Sequence, residues 1–321
     1  MTAGRVARAL AQAAIGLGLL AVLWVVVGGE AILARLAALD PGWLAAGVAL
    51  SVPQIAVSAW RWRYTAGRLG QPIGYGTALR DYYLSTFLNQ VLPGAVLGDG
   101  VRAWRHRART GAAARWAPAV RAVALERASG QAMLLAWLAA TLPLSPLAAR
   151  LGPAVAAGTA VALGLAAAIA LGGERRPGPA VPRQRGRLRT AAGTLGADAR
   201  RALLAHPAWL VQGALSAAVL ATYLATFYCA GRALGLHLDP LLVATVVPAV
   251  LLAMLVPVSI AGWGVRDGAA AALWALVGLA PADGAAVSIV YGLIVLAGSL
   301  PGAPLALGAG RAAAAAVMRP A

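Results

Sequence analysis

Four places in otherwise apolar stretches of this sequence carry ionisable residues. They are Asp99 with Arg102, Glu126 with Arg127, Arg266 with Asp267, and Asp81. A charge at the centre of a bilayer costs about 2.5–3.5 kcal/mol, so it normally faces a partner or a cavity. Each of the first three places combines an acid with a base. Either these side chains form structural ion pairs, or the arginines bind a phosphate with their planar, forked donors while the acids tune them.

Two of these places share a ten-residue pattern. It reads PGAVLGDGVR at Pro93–Arg102 and PVSIAGWGVR at Pro257–Arg266. Hydrophobic segments that are interrupted by Gly and Pro at matching places in two halves of a chain point to the binding site of a transporter. Glycines also let backbone N–H groups approach an anion at a helix N-terminus. The candidate substrate-binding residues are Asn89, Pro93, Gly98, Asp99, Gly100, Arg102, Glu126, Arg127, Gly262, Gly264, Arg266 and Asp267.

The composition places this chain in a membrane. Of its 321 residues, 61% are hydrophobic and 12% are charged, with a mean hydropathy of +0.77. Soluble domains carry about 25% charged residues, so we expect an all-α polytopic membrane protein. The net charge of +17 fits cytoplasmic loops that face anionic lipid rather than nucleic acid. All 27 basic residues are arginine, which we interpret as the codon bias of a GC-rich, bacterial genome.

Cysteine and histidine give no reason to expect a metal ion or a cofactor. Cys229 is the only cysteine, which excludes an intramolecular disulfide and a cysteine-based metal site. His106, His206 and His237 are scattered along the chain and are predicted to lie in loops. The sequence contains no nucleophile–His–acid arrangement and no phosphate-binding P-loop.

The hydropathy pattern predicts about six full spans within one integral membrane domain, residues 1–321. They are Ala9–Val27, Trp43–Ala59, Pro118–Leu142, Pro153–Leu171, Ala208–Gly231 and Gly284–Leu307. Trp43, Trp60, Tyr82 and Tyr83 are expected at membrane interfaces. A basic loop with Arg61, Arg63, Arg68 and Arg80 follows the second span. A flexible, basic cytoplasmic linker, residues 172–207, separates the first half, 1–171, from the second, 208–310.

Two segments are too broken to span and are predicted to be re-entrant hairpins, at residues 80–101 and 240–280. With both termini in the cytoplasm of a plasma-membrane protein, 22 of the 27 arginines fall in cytoplasmic segments, which satisfies the positive-inside rule. Three spans separate the hairpins, so the second is inverted relative to the first. Glu126 and Arg127 point about 100° apart on a helix. Each is expected to reach toward a different hairpin.

The order of four motifs resembles a known family. WRWR at Trp60–Arg63 precedes FLNQVLPGAVLGDGVRAWR at Phe87–Arg105, then ALER at Ala124–Arg127, then LVPVSIAGWGVRDGAAAAL at Leu255–Leu273. The set is similar to the lysylphosphatidylglycerol synthase transmembrane-domain family, also called flippase-like. Two positions depart from the family pattern, which usually has Gly where Leu97 stands and Glu where Asp267 stands.

The resemblance implies a lipid flippase with two re-entrant hairpins. In some members of this family the membrane domain is fused to a cytosolic aminoacyl-transferase domain. This chain shows no such domain after its last span, so we do not expect it to be an enzyme that transfers lysine to lipid.

The leading hypothesis is a flippase of an anionic or phosphate-bearing lipid, including the polyprenyl-phosphate type. Arg102 and Arg266 are expected to bind phosphate from opposite leaflets, with Glu126 and Arg127 as a relay at the midplane. A membrane-embedded transferase on a lipid-linked substrate, with Asp99 or Glu126 as base, is an alternative that the short outer loops disfavour. A non-transporting subunit of a lipid-modifying complex is another. A second copy of the chain and a partner enzyme are the possible protein partners.

Overall fold

The computed structural model describes residues 3–37, 39–92, 97–109, 116–148, 150, 193–254 and 259–308, with side chains from residue 10 onward. Over these residues the regular structure is helical, without strands. The main helices are α1 (Ala3–Val27), α2 (Gly29–Leu36), α3 (Pro41–Arg68), α4 (Tyr75–Val91), α5 (Leu97–Arg109), α6 (Trp116–Thr141), α7 (Ala208–Ala233), α8 (Pro240–Ala253), α9 (Val265–Leu276) and α10 (Pro281–Ser299). The prediction of an all-helical protein is confirmed.

Four of the described helices are long and apolar enough to cross a bilayer. They are Leu10–Val27, Pro41–Arg68, Ala208–Ala233 and Pro281–Gly308. These helices coincide with the first, second, fifth and sixth predicted spans, and they identify a membrane protein. Helix α6 coincides with the predicted span Pro118–Leu142, but it carries Arg121, Glu126 and Arg127 and is not among the four helices apolar enough to cross a bilayer. The predicted span Pro153–Leu171 lies outside the described residues.

Two aspartates set the starts of helices in the outer loops that the sequence predicted. The Oδ1 atoms of Asp40 and Asp239 accept hydrogen bonds from the backbone N–H two residues on, at 2.7 and 2.8 Å. Pro41 and Pro240 follow at the first helical position, where the missing N–H of proline has no consequence. These carboxylates therefore begin α3 and α8 rather than belong to a site.

The largest core cluster is built from α6, α7, α8, α9 and α10. At its centre the rings of Phe227 and Tyr291 lie 4.6 Å apart. Helices α3 and α10 approach closely through small residues, because a Cβ added to Gly298 would lie 2.3 Å from the hydroxyl oxygen of Ser51. Packing through small residues is typical of helices in membranes.

Each segment predicted to be a re-entrant hairpin forms a pair of short helices, and its re-entry into the membrane stays a prediction. The first hairpin consists of α4 and α5, with 17 and 13 residues, and the second of α8 and α9, with 14 and 12. At 1.5 Å per residue these helices are roughly 18–25 Å long, which is less than the ~30 Å hydrocarbon core. The first pair runs from Tyr75 to Arg109 and is therefore longer than the predicted segment 80–101.

Two boundaries differ from the prediction. Helix α3 continues through the WRWR motif to Arg68, because neither Gly nor Pro occurs between Pro53 and Gly67. Arg61 is therefore helical and buried, and its assignment to a basic loop was wrong. Most of the predicted linker lies outside the described residues, but residues 193–204 are helical. Within them, Oδ2 of Asp198 forms an ion pair with Nε of Arg121 on α6 at 2.6 Å.

Candidate functional site

Helices α3, α5 and α6 bring five ionisable side chains together beside the first hairpin. We call this set the arginine–carboxylate cluster. It consists of Arg61, Asp99, Arg102, Glu126 and Arg127. Asp99 and Arg102 share one face of α5 because residues three apart are neighbours on a helix. The cluster contains three arginines and two carboxylates and so carries a net charge of +1.

Glu126 is the centre of this cluster and is completely buried. Its Oε1 atom accepts hydrogen bonds from Nε and Nη2 of Arg61 at 3.1 and 2.6 Å, and from the hydroxyl of Tyr82 at 3.3 Å. Its Oε2 atom accepts one from Nη2 of Arg102 at 3.0 Å. Removing one partner from a buried charged pair typically costs about 3–5 kcal/mol, so this carboxylate stabilises the junction of three helices.

Asp99 holds the other side of the cluster. Its Oδ1 atom accepts from Nη2 of Arg102 at 2.9 Å and from the hydroxyl of Ser85 at 3.2 Å. Its Oδ2 atom is paired with Nη2 of Arg127. Glu126 and Arg127 thus both contact partners of the first hairpin, and the prediction that they reach toward different hairpins was wrong. The reason is that α5 packs against α6 and supplies a partner to each residue, Arg102 to Glu126 and Asp99 to Arg127.

Arg102 retains unused hydrogen-bonding capacity. Its guanidinium carbon lies 4.7 Å from the ring centre of Trp62 and 4.5 Å from that of Tyr82, so the cation is sandwiched between two aromatic faces. Its Nε and Nη1 atoms are buried and have no hydrogen-bond partner among the described residues. A buried donor without a partner costs about 1–3 kcal/mol. An anion would supply both the opposite charge and the hydrogen-bond acceptors that these two nitrogens lack.

The glycines of the first pattern have different roles. A Cβ on Gly98 would lie 2.1 Å from the carbonyl oxygen of Ser85, so only glycine allows α4 and α5 to pack this closely. The N–H of Gly98 donates to Oδ1 of Asn89 at 2.8 Å, and the Asn89 amide in turn lies 3.5 Å from Asp99. Gly100 faces open space. Pro93 lies outside the described residues.

The second copy of the pattern forms a smaller and electrically neutral group. Nε of Arg266 donates to the hydroxyl of Ser288 at 2.9 Å, and Nη2 donates to Oδ1 of Asp267 at 3.1 Å. The Ser288 hydroxyl donates to the same Oδ1 at 2.5 Å. Oδ2 of Asp267 accepts from the N–H of Gly264 at 2.9 Å and so begins α9. Arg266 and Asp267 are fully buried and mutually compensated.

The loop before α9 needs the glycines for their backbone. Gly262 and Gly264 have φ angles of 79° and 82°, in the left-handed region that favours glycine. A Cβ on Gly264 would also lie 2.6 Å from the Cβ of Leu19 on α1. These glycines shape the loop between α8 and α9.

Asp81, the fourth place, belongs to neither group. It accepts from Nε of Arg105 at 2.7 Å and is also paired with Arg109. Because Asp81 lies on α4 and the arginines on α5, it fastens the two helices of the first hairpin together.

Several side chains of the site were missed or misread in the sequence. They are Arg61, Trp62, Tyr82, Ser85, Ser288 and Tyr291, the last with its ring centre 5.5 Å from the guanidinium carbon of Arg266. Tyr82 was expected at a membrane interface, but it contacts Arg102 and Glu126 instead. The serines carried no signal in the sequence. Arg61 did carry one, because a helix that continues through WRWR directs one of its two arginines toward the core. Among the described residues, no three of His, Cys, Asp and Glu come together as a metal site.

One family model matches nearly the whole chain. The model, described as the lysylphosphatidylglycerol synthase TM region, matches residues 9–302. No curated protein and no solved structure matches the chain.

Proposed function

Because the chain belongs to the lysylphosphatidylglycerol synthase TM region family, we propose that it moves an anionic or phosphate-bearing lipid between the leaflets of a membrane. The observation that carries the proposal is Arg102, a buried cation with two unpartnered nitrogens in a cluster of net charge +1. One negative headgroup neutralises that cluster and supplies the missing hydrogen-bond acceptors.

The contacts favour a headgroup site at the first hairpin. Arg127 is the most accessible member of the cluster, with 43% of its side chain exposed, and it holds Asp99 from α6. A phosphate reaches Arg127 first and then Arg102, while the acyl chains stay in the bilayer. Arginine suits this role because its fork donates two parallel hydrogen bonds to one phosphate.

By the same criteria of free donors and net charge, Arg266 is a weaker candidate for binding phosphate than Arg102. Two of its nitrogens already donate to Ser288 and Asp267, and its group is neutral. We therefore propose that the second hairpin mainly supports the fold and that the first binds the lipid.

The transferase alternative receives no support from the carboxylates. A base needs an oxygen that is free to accept the proton of the substrate, yet Glu126 accepts from Arg61, Arg102 and Tyr82, and Asp99 accepts from Arg102 and Arg127. We propose a transporter that leaves its lipid chemically unchanged.

We further propose the topology of six spans with two re-entrant, mutually inverted hairpins and both termini in the cytoplasm of the plasma membrane. Single cysteines at Gly178, Leu279 and Ala313, in a Cys229→Ala background, test it with a membrane-impermeant thiol reagent in whole cells. Leu279→Cys is expected to be labelled, and the other two are expected to be protected. Labelling of Ala313→Cys from outside contradicts the inverted arrangement.

The proposed function is tested with the purified protein in liposomes. Phosphatidylglycerol that carries a fluorescent label on an acyl chain and has a free headgroup is placed in both leaflets. Dithionite then quenches the label of the lipids in the outer leaflet. Wild-type protein is expected to expose the inner pool, whereas Arg102→Ala is expected to resemble empty liposomes. Chromatography of the recovered lipid checks that it is unmodified. No faster quenching with folded wild-type protein than with empty liposomes contradicts the proposal.

A further inference from the structure

Three side chains that contact one another near the first hairpin carry buried nitrogen atoms without a hydrogen-bond partner among the described residues. Trp62 on α3 and Arg102 and His106 on α5 are each at most 1% exposed. Trp62 contacts both of the others, since Arg102 lies 4.7 Å from its ring and the His106 ring centre lies 5.5 Å away. We call these three residues the donor pocket. His106 was expected in a loop, but it lies one turn beyond Arg102 on the same face of α5.

Five nitrogen atoms of the donor pocket have no hydrogen-bond partner among the described residues. They are Nε1 of Trp62, Nε and Nη1 of Arg102, and Nδ1 and Nε2 of His106. The backbone of Gln71 lies beside the His106 imidazole, and a hydrogen bond to it would leave four of these nitrogens without a partner. Buried polar groups in native proteins nearly always have partners, so a set of this size indicates a missing occupant.

The chemistry of the free atoms defines that occupant. With a neutral imidazole, the indole offers one N–H, the guanidinium three and the imidazole one, against a single acceptor nitrogen. A water molecule brings two further hydrogens that need acceptors, and the pocket has one. An oxyanion brings only acceptors, and the positive charge of Arg102 favours it further.

We propose that the donor pocket is the seat of the phosphate group, with Trp62 and His106 as ligands in addition to Arg102. This inference rests on the proposed function and refines it, because it places the phosphate between α3 and α5 rather than beside Asp99. The three side chains are buried and in contact with one another, so the phosphate enters when α5 moves relative to α3.

Two substitutions remove donors while keeping the aromatic contacts. Trp62→Phe removes the indole N–H but leaves a ring over Arg102, and His106→Phe removes both imidazole nitrogens but leaves a ring against Trp62. Trp104→Phe is the matched control, because Trp104 lies on the same helix and is 51% exposed. The purified proteins are titrated in detergent with inorganic phosphate and, separately, with short-chain phosphatidylglycerol, and binding is followed by calorimetry.

Each donor-removing variant is expected to weaken binding by about ten- to a hundredfold, as the loss of a hydrogen bond to a charged group does. Trp104→Phe is expected to bind like wild type. Without ligand, Trp62→Phe is expected to unfold near the wild-type temperature, because removal of an unsatisfied buried donor offsets the cavity that the smaller ring leaves. Weaker binding without weaker folding is a result that a purely structural tryptophan does not give. Loss of affinity for both ligands supports a phosphate seat, and loss for the lipid alone supports a seat that also needs the glycerol.

Unchanged affinity in both donor-removing variants, with binding lost in Arg102→Ala, overturns the donor pocket but leaves the proposed function intact. Unchanged affinity in Arg102→Ala as well removes the headgroup site of the proposed function.

Discussion

The two hairpins carry the same pattern of Gly, Gly, Val and Arg, yet they use it differently. In the first, α5 begins at Leu97 and the glycines lie within the helix, where Gly98 permits a close approach to α4. In the second, α9 begins only at Val265, and Gly262 and Gly264 form a left-handed loop before it. A sequence repeat therefore preserves residue types without preserving local backbone.

The arginines differ because their neighbours differ. Each arginine pairs with an aspartate of its own helix and lies over two aromatic rings, but Arg102 also meets a glutamate from α6, in a cluster of net charge +1 with unused donors. Arg266 meets an aspartate from its own helix and a serine from α10, in a neutral group. Under the proposed function, residues outside the repeat therefore determine which copy binds the anion and which supports the fold.

The largest expected effect on stability comes from removing the charge of Glu126, which two buried arginines share in the arginine–carboxylate cluster. Glu126→Gln leaves Arg61 and Arg102 without their shared carboxylate and is expected to lower the free energy of unfolding by about 3–5 kcal/mol. Asp267→Asn leaves one arginine, which keeps Ser288, and is expected to cost less. Thermal unfolding in detergent measures both, with Glu30→Gln as an exposed control within about 0.5 kcal/mol of wild type. A larger loss in Asp267→Asn reverses the comparison.

The glycines distinguish packing from backbone conformation. Gly98→Ala is expected to destabilise by about 1–3 kcal/mol through overpacking against Ser85. Gly264→Ala is expected to be similarly costly, through positive φ and the contact with Leu19. Gly100→Ala has open space inside a helix and is expected to be neutral or to stabilise by up to about 1 kcal/mol. Normal stability with lost transport in Gly100→Ala would restore Gly100 to the binding site.

The smallest effect calibrates the others with an ion pair outside both hairpins. Arg35 and Asp283 lie 2.9 Å apart with 47% of the arginine side chain exposed. Arg35→Gln is expected to change the free energy of unfolding by less than about 1 kcal/mol, because solvent screens exposed pairs. If the same assay showed a loss of unfolding free energy as large as that of Glu126→Gln, burial would not explain the difference between the Arg35–Asp283 pair and the arginine–carboxylate cluster.

Local patterns predicted much of this architecture. Hydropathy located the four described helices that are long and apolar enough to cross a bilayer. Charges in apolar stretches located five buried ionisable residues, Asp99, Arg102, Glu126, Arg266 and Asp267. The partners of these residues were not predictable, because they depend on which distant helices pack together.

The missed residues show where the missing information lies. Arg61 joins Glu126 only because α3 continues past the expected boundary and packs beside α6. His106 and Trp62 meet only because α5 lies against α3. Spacing along one helix was therefore informative, and contact between helices was not.

The most direct test of the central claim compares Arg102→Lys with Arg266→Lys in the liposome assay, with rates normalised to folded protein. Lysine keeps the charge but loses the fork. We predict that Arg102→Lys lowers the rate of lipid movement at least about tenfold at normal stability. We predict that Arg266→Lys lowers the amount of folded protein but not the rate per folded molecule. Equal loss of rate in both variants, or an unchanged rate in Arg102→Lys, contradicts the account.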